Sequence, residues 1–253
     1  GNDAVGVGTA TGAPATDILG KARVREGSYG ALYADPGAFT TDRVDLGGTV
    51  GVGKDYTTYI AAEADTGSYT SLAKSNVRYV FTATPGETIS SLGIFIVETT
   101  SETGPEHNVR FQCLDKTNRA RRVGLAPNNT DALRVIEGFV EWDGIDLEGP
   151  GGFRVVGMAS ASGVNTVGFR LSNCVLTNAA LGVQIGMTDL DEYMGSTQYP
   201  HTFENVMFDG GTRFISSYLA TQAYTGGTYL VVRNCTRLSD TATETFIEVP
   251  FAS

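Results

Sequence analysis

The 253-residue sequence contains few of the residues from which catalytic and metal sites are commonly built. It has three cysteines and two histidines, and lysine occurs only at positions 21, 54, 74 and 116. An odd number of cysteines without a Cys-x-x-Cys pair argues against a disulfide framework and against a zinc site. His107 and His201 are far apart in the chain, and we interpret each as a surface or hydrogen-bonded residue. No nucleotide-binding glycine loop, serine-nucleophile turn or His-Glu-x-x-His sequence occurs. We therefore expect neither a metal nor a cofactor.

Positive charge is also scarce. The formal net charge is −10 and the pI is about 4.7, which disfavours binding to the phosphate backbone of nucleic acids. The densest basic run, Arg119, Arg121 and Arg122, is interpreted as a solvent-exposed turn. No apolar run approaches the roughly 18 residues of a membrane span, and no signal peptide is visible at the N-terminus. Neither nucleic acid nor a membrane is therefore an expected partner.

What the sequence does contain is a repeat with a period of about 30 residues. Each copy has a short alternating strand, a polar turn residue and a second apolar strand. The four copies, Leu133–Gly149, Phe169–Gly186, His201–Ser216 and Leu230–Val249, align on the turn residues Glu137, Asn173, Asn205 and Asn234. One copy alone cannot bury its apolar face, whereas stacked copies form a continuous core. The repeat therefore predicts an all-β fold, a parallel β-helix.

Asparagine suits the turn position because it tolerates the left-handed backbone conformation of a sharp corner. Stacked asparagines can also form a ladder of side-chain hydrogen bonds. Cys174 and Cys235 each follow a turn asparagine, two copies apart. We expect them to be buried small residues, too far apart to form a disulfide because a copy lies between them.

The stretch before the repeats predicts a helix and further strands. Residues 55–64 form a short helix that Thr57 or Thr58 can cap and that can cover the end of the stack. The expected strands are Val77–Thr84, Ile89–Val97, Val109–Leu114 and Arg122–Leu125. Three irregular segments, Gly149–Asn165, Met187–Pro200 and Leu219–Gly227, are expected to project as side loops.

Composition divides the chain into two parts. Residues 1–51 are rich in small residues and have no sustained periodicity, which indicates an extended N-terminal arm. This arm is either a loosely packed extension or an attachment segment that orders on a partner. Residues 52–253 form the β-helix domain.

Residues 53–86 resemble the start of a pectin-lyase-like right-handed parallel β-helix. The resemblance rests on Gly53-Lys54-Asp55-Tyr56-Thr57-Thr58, which leads to a strand ending in Pro85-Gly86, and on the rungs Phe169–Gly186 and Leu230–Val249. It covers about residues 53–249 and implies a single-stranded right-handed coil with a short capping helix. The superfamily includes polysaccharide lyases and hydrolases, phage tailspikes and other virion proteins, so the fold does not choose a function.

The best candidate site is the acidic stretch Glu141–Glu148, which contains the single tryptophan. Asp146 and Glu148 would point to one face of a strand, and with Asp143 beside an exposed Trp142 they could bind and hydrolyse a sugar. They could also bind a hard cation. The alternative is an outward polar face with Ile145 and Leu147 turned inward. We expect Val183, Gln184 and Ile185 to occupy the equivalent strand on the next coil, so no carboxylate pair bridges the coils.

Two other sets of residues are candidate sites. Asp189, Asp191 and Glu192 are interpreted as a solvated loop. Lyases that resemble this chain use a lysine or arginine base, and the arginines of the repeat region are Arg134, Arg154, Arg170, Arg213 and Arg233. None of these arginines lies in a recognisable lyase motif.

These observations favour a non-enzymatic structural or adhesion protein of a virus or phage particle, located on the virion or outside the cell. Residues 1–51 would attach it to capsid or tail proteins, and the body could contact a cell-surface polysaccharide. The resemblance implies a homotrimer. The alternative is a carbohydrate-active enzyme with Asp143, Asp146 and Glu148 as its acids, and a third reading is a secreted bacterial adhesin.

Overall fold

The computed structural model describes residues 44–69, 77–92, 95–98, 108–125, 131–136, 139–152, 154–159, 168–185, 198–217, 230–238 and 246–248. These residues form one helix and seventeen strands. The helix is α1 (Tyr59–Tyr69), and the strands are β1 (Val44–Val50), β2 (Val77–Ala83), β3 (Thr88–Leu92), β4 (Phe95–Glu98), β5 (Val109–Gln112), β6 (Ala120–Leu125), β7 (Leu133–Ile136), β8 (Val140–Asp143), β9 (Ile145–Glu148), β10 (Arg154–Ala159), β11 (Arg170–Thr177), β12 (Leu181–Ile185), β13 (His201–Asp209), β14 (Arg213–Ser217), β15 (Leu230–Arg233), β16 (Thr236–Arg237) and β17 (Ile247–Glu248).

The strands form two parallel sheets. In the larger sheet one row runs β1-β2-β5-β8-β11-β13-β15, and a second row runs β3-β6-β9 and continues along the C-terminal halves of β11 and β13 to β16. The smaller, six-stranded sheet runs β4-β7-β10-β12-β14-β17, with one strand from each successive coil. The chain thus passes through the larger sheet before it adds each strand of the smaller one, and partners within a sheet are one coil apart. The predicted parallel β-helix is confirmed.

β11 and β13 are long because each continues through a corner of the coil at an asparagine. Asn173 and Asn205 have φ of 54°, and Asn234 has φ of 51°, the left-handed conformation that asparagine tolerates best after glycine. Asn234 Nδ2 donates to Asn205 Oδ1 at 3.3 Å, and Asn205 Nδ2 donates to Asn173 Oδ1 at 2.9 Å. The predicted corner and asparagine ladder are confirmed.

The alignment of the first copy, however, was wrong. β8 pairs with β11 so that Trp142 lies opposite Leu171 and Asp143 opposite Ser172, which places Gly144, with φ of 73°, beside Asn173. Gly144 therefore holds the corner position that was assigned to Glu137, a residue outside the described part. β7, at the start of that copy, belongs to the smaller sheet. A short alternating apolar strand fits either sheet, so its sequence pattern cannot assign it.

Two further segments were also assigned incorrectly. The expected strand Ile89–Val97 is two strands, β3 and β4, which lie in different sheets. The expected side loop Gly149–Asn165 contains β10, which pairs with both β7 and β12. β2, β5 and β6 lie within a few residues of their predictions. Residues 187–197 and 219–227 of the other two expected loops lie outside the described residues.

Aromatic rings fill the interior at the N-terminal end. Phe81 stacks on Phe111 with ring centroids 5.0 Å apart, and Phe111 lies 5.3 Å from Trp142. Tyr59, the first residue of α1, is 2% exposed and lies 5.5 Å from Trp142. Thr58 Oγ1 accepts the amide of Ala61 at 3.1 Å, so Thr58 caps the helix. One of the two predicted caps is confirmed, and the helix begins at Tyr59 rather than at Asp55.

The N-terminal boundary differs from the predicted one. β1 pairs with β2 over seven residues, from Val44 opposite Val77 to Val50 opposite Ala83, so the last part of the predicted arm of residues 1–51 is a strand of the larger sheet. Residues 1–43 lie outside the described part. No described helix is long and apolar enough to cross a membrane.

Candidate functional site

The acidic stretch Glu141–Glu148 spans β8 and β9, and its tryptophan points into the core. Trp142 is 0% exposed, and its indole Nε1 donates to the carbonyl of Ile145 at 2.8 Å. The expectation of an exposed aromatic ring at Trp142 is therefore wrong. The period-two alternation of β8 turns Val140 and Trp142 inward together, because both lie on the same face of the strand.

Asp143 is held by four donors. Its carboxylate accepts from Arg110 Nη2 at 2.9 Å, Lys116 Nζ at 2.9 Å, Ser172 Oγ at 3.0 Å and Asn173 Nδ2 at 2.7 Å. Burial alone would raise the pKa of Asp143, but the bonds from Asn173, Lys116 and Arg110 outweigh it and lower the pKa to about 2. Asp143 is therefore an anion at neutral pH and cannot serve as a proton donor.

Asp146 and Glu148 point outward on one face of β9, as predicted, while Ile145 and Leu147 are buried. Asp146 Oδ1 accepts from Arg119 Nε at 2.7 Å and from the amide of Val175 at 2.8 Å. Glu148 Oε2 lies 3.3 Å from Arg121 Nη1. These contacts correspond to the alternative prediction, an outward polar face.

The strand that follows β9 on the next coil also differs from the prediction. Leu147 lies opposite Leu176 and Glu148 opposite Thr177, both in β11, whereas Val183, Gln184 and Ile185 belong to β12 in the smaller sheet. The neighbours of the two carboxylates on the next coil are therefore Val175 and Thr177. Since neither side chain is acidic, the conclusion that no carboxylate pair bridges these coils stays the same.

The cations that meet the acidic stretch come from the preceding coil. Arg110 contacts Asp143 and lies 3.5 Å from Glu141, and Asn108 Nδ2 donates to Glu141 at 3.0 Å. With the pairs at Asp146 and Glu148, this makes a basic coil stacked on an acidic one. The arrangement resembles a row of ion pairs between two neighbouring coils, here called the ionic seam, more than a catalytic cluster. Each carboxylate already has a cationic neighbour.

One arginine of that coil is inside the molecule. Arg122 is 0% exposed, so its interpretation as part of a solvent-exposed turn is wrong. Its Nη2 donates to Ser91 Oγ at 3.1 Å, and burial lowers its pKa to about 10. Arg122 faces inward because it alternates with Arg121 along β6, whose odd positions face solvent or partial solvent and whose even positions are buried.

Three of the five arginines considered as lyase bases contact carboxylates of the fold. Arg134 Nη2 lies 2.7 Å from Asp131 Oδ2, and the buried Arg154 contacts both Asp131 and Gln184. Arg170 Nη2 lies 3.0 Å from Glu204 Oε2. Each of these three guanidinium groups is therefore engaged in an ion pair within the fold.

A cleft that the sequence did not reveal lies next to the starts of β8, β11 and β13. It has a volume of about 220 Å³ and is open to solvent. Its lining includes Asn108, Phe139, Glu141, Arg170, Gln198 and Tyr199. The residues come from four segments of the chain, which only the register of the stacked coils brings together, so no local sequence pattern marks the site.

Two aromatic rings form the wall of this cleft. Phe139 and Tyr199 lie edge to face with centroids 5.0 Å apart, and the amide of Gly168 donates to the carbonyl of Tyr199 at 3.2 Å. Phe139 has φ of 58°, which is a rare conformation for a bulky residue. A Cβ on Gly168 would approach Phe139 Cδ1 to 2.8 Å, so glycine is required for the ring to lie where it does.

Within the described residues, no group of three His, Cys, Asp or Glu side chains is arranged to hold a metal ion. Asp189, Asp191 and Glu192 lie outside them. All three cysteines are free thiols, and Cys113 and Cys174 are buried.

No family model matches the chain, and searches of characterised proteins and of solved structures also return no match.

Proposed function

We propose that the chain is a non-enzymatic structural or adhesion module of a virus or phage particle. Its β-helix body would be carried by the N-terminal arm, which would contact capsid or tail proteins, and its outer face would meet a cell-surface glycan. The virion context is suggested by the resemblance of residues 53–86 to the pectin-lyase-like superfamily. The same resemblance suggests a homotrimer on the virion or outside the cell.

One observation supports the non-enzymatic reading above the others. The carboxylates at Asp143, Asp146 and Glu148 each accept from a cation of the preceding coil. A glycoside hydrolase needs one carboxylic acid that gives a proton and a second carboxylate that acts as base or nucleophile. A carboxylate whose pKa is lowered by hydrogen bonds from Asn173, Lys116 and Arg110, as at Asp143, is poorly suited to the first role.

A depolymerisation screen tests the proposal. The full chain is incubated with a panel of bacterial capsular and lipopolysaccharide glycans, and new reducing ends and unsaturated products are measured. We expect no turnover. Turnover that is lost in Asp146→Asn but kept in Asp209→Asn, a matched change at an exposed carboxylate, would replace the structural reading with the enzymatic one.

The arm is tested by truncation at residue 43. Because β1 is part of the larger sheet, removal of residues 1–43 should leave the β-helix folded, with an unchanged melting temperature, while the protein no longer joins its particle. Removal of residues 1–51 should also destabilise the body, since it deletes a strand. If the variant that lacks residues 1–43 still joins the particle, the arm is not the attachment segment.

A further inference from the structure

The cleft between Phe139 and Tyr199 carries the chemistry of a small polar ligand with an apolar face. Its lining combines two aromatic rings with amide, carboxylate and guanidinium groups from Asn108, Glu141 and Arg170. Its volume of about 220 Å³ is below the roughly 300 Å³ at which sites for drug-sized ligands begin. One pyranose ring is of the right size and has both an apolar C–H face and an edge of hydroxyl groups.

The charges around the cleft favour an uncharged ligand. Glu141 accepts from Asn108 and lies 3.5 Å from Arg110 Nε. Arg170, whose side chain is 50% exposed, pairs with Glu204 at 3.0 Å. Each charge at the rim thus has an opposite charge beside it, so the cleft as a whole selects neither an anion nor a cation. These groups can still donate to and accept from hydroxyls.

The backbone at Phe139 supports a role for its ring beyond packing. Glu141 and Arg170 are partners across the sheet, so Phe139 and Gly168, each two residues earlier, occupy the same position on neighbouring coils. Both have positive φ, 58° and 65°, a conformation that glycine adopts without strain. A phenylalanine here is strained, and its ring is only partly buried. Residues held in such conformations cluster at ligand sites.

We propose that this cleft binds a single neutral hexopyranose unit of a glycan, with Phe139 and Tyr199 against its apolar face and Asn108, Glu141 and Arg170 at its hydroxyls. The proposal rests on the adhesion role above and names the site for it. Failure of this proposal can be distinguished from failure of the adhesion role. The titration described next measures hexoside binding, whereas the depolymerisation screen measures turnover.

The test is a titration of the ¹⁵N-labelled full chain with a panel of methyl hexopyranosides, namely the glucoside, galactoside, mannoside and N-acetylglucosaminide. At least one should give saturable shifts at the amides of Phe139, Gly168 and Arg170, with a Kd on the order of millimolar. Sodium glucuronate and N-acetyl-L-argininamide serve as charged probes. A panel without a binding hexoside, or shifts produced only by a charged probe, overturns the proposal.

Variants separate recognition from packing. Phe139→Gly removes the ring and relieves the backbone, so its melting temperature should be unchanged or higher while the affinity for the hexoside falls at least about tenfold. Tyr199→Ala should also lose affinity, and it carries the test if Phe139→Gly does not fold. Leu114→Ala, at an exposed residue that does not line the cleft, is the control. Binding by both cleft variants with wild-type affinity contradicts the proposal.

Discussion

At the scale of single residues, the corner asparagines combine a backbone conformation with a side-chain bond. Asn173, Asn205 and Asn234 take φ between 51° and 54°, and their amides form a ladder that ends on Asp143. Asparagine supplies both, since glycine supplies only the conformation and an ionised aspartate cannot donate a hydrogen bond to the next residue of the ladder. The row is therefore architectural, and its terminal carboxylate belongs to the same network.

Asn205, in the middle of the ladder, separates the two contributions. Asn205→Gly keeps the left-handed conformation and loses the two side-chain bonds, whereas Asn205→Ala loses the bonds and also strains the corner. We expect the alanine variant to be less stable than the glycine variant by roughly 1 kcal/mol. Urea unfolding of both measures the difference. Equal stabilities would show that the ladder, and not the conformation, is what selects asparagine here.

Asp143 makes stability depend on pH. Its pKa in the folded protein, about 2, is below the usual 3.8, so the unfolded chain binds a proton first as the pH falls. The stabilisation is complete above about pH 4 and is lost between about pH 4 and pH 2, with a total on the order of 2 kcal/mol. The free energy of unfolding of Asp143→Asn should be lower than that of the wild type by about this amount at pH 7. It should also change less between pH 4 and pH 2.

The control for this change is Asp209→Asn, at an exposed carboxylate on the same sheet. Unfolding free energies of the wild type and both variants are compared from pH 2 to pH 7. If Asp143→Asn retains the full acid dependence of the wild type, the stabilising carboxylate is a different one.

At the scale of elements, the sequence predicted the presence of the strands better than their assignment to one of the two sheets. The asparagine corners of β11 and β13 are marked by a residue type with a specific conformational reason, and both were found. Sheet membership was not marked, because β7 of the smaller sheet alternates in the same way as β5 and β9 of the larger sheet. Assigning them requires the register between coils, which is a property of the stack.

The same limit explains which features of the candidate site the sequence could predict. Asp146 and Glu148 were correctly placed on one face, since period two alone determines it. The cations that the preceding coil supplies depend on which residues lie opposite, as Arg110 does to Glu141. The cleft was missed for this reason, because Phe139 and Tyr199 are 60 positions apart in the chain.

The capping helix gives a prediction at this scale. Thr58 Oγ1 accepts the amide of Ala61, so Thr58→Ala should destabilise the protein by about 1 kcal/mol. Thr57→Ala is the matched control, because the neighbouring threonine is exposed and is not the residue that caps α1. Thermal unfolding measures both. A larger loss from Thr57→Ala than from Thr58→Ala would place the cap one residue earlier.

At the scale of the whole molecule, stacking is both apolar and ionic. The interior is a continuous column of buried side chains from Val50 to Ile215. On the outer face the basic coil of residues 110–121 meets the acidic coil of residues 141–148. In a chain of net charge −10, the ionic seam favours the stacking of this basic coil on this acidic coil. It also explains why the densest acidic stretch need not be a catalytic one.

The pair of Arg119 and Asp146, 2.7 Å apart, gives the most direct test of this account. A double-mutant cycle with Arg119→Met and Asp146→Asn, measured by urea unfolding, should give a coupling free energy of about 1 kcal/mol. The control cycle replaces Asp146→Asn with Glu148→Gln, whose partner is Arg121, and should be near additive. Additivity in the Arg119–Asp146 cycle would contradict the account, because the carboxylates would then not hold the coils together.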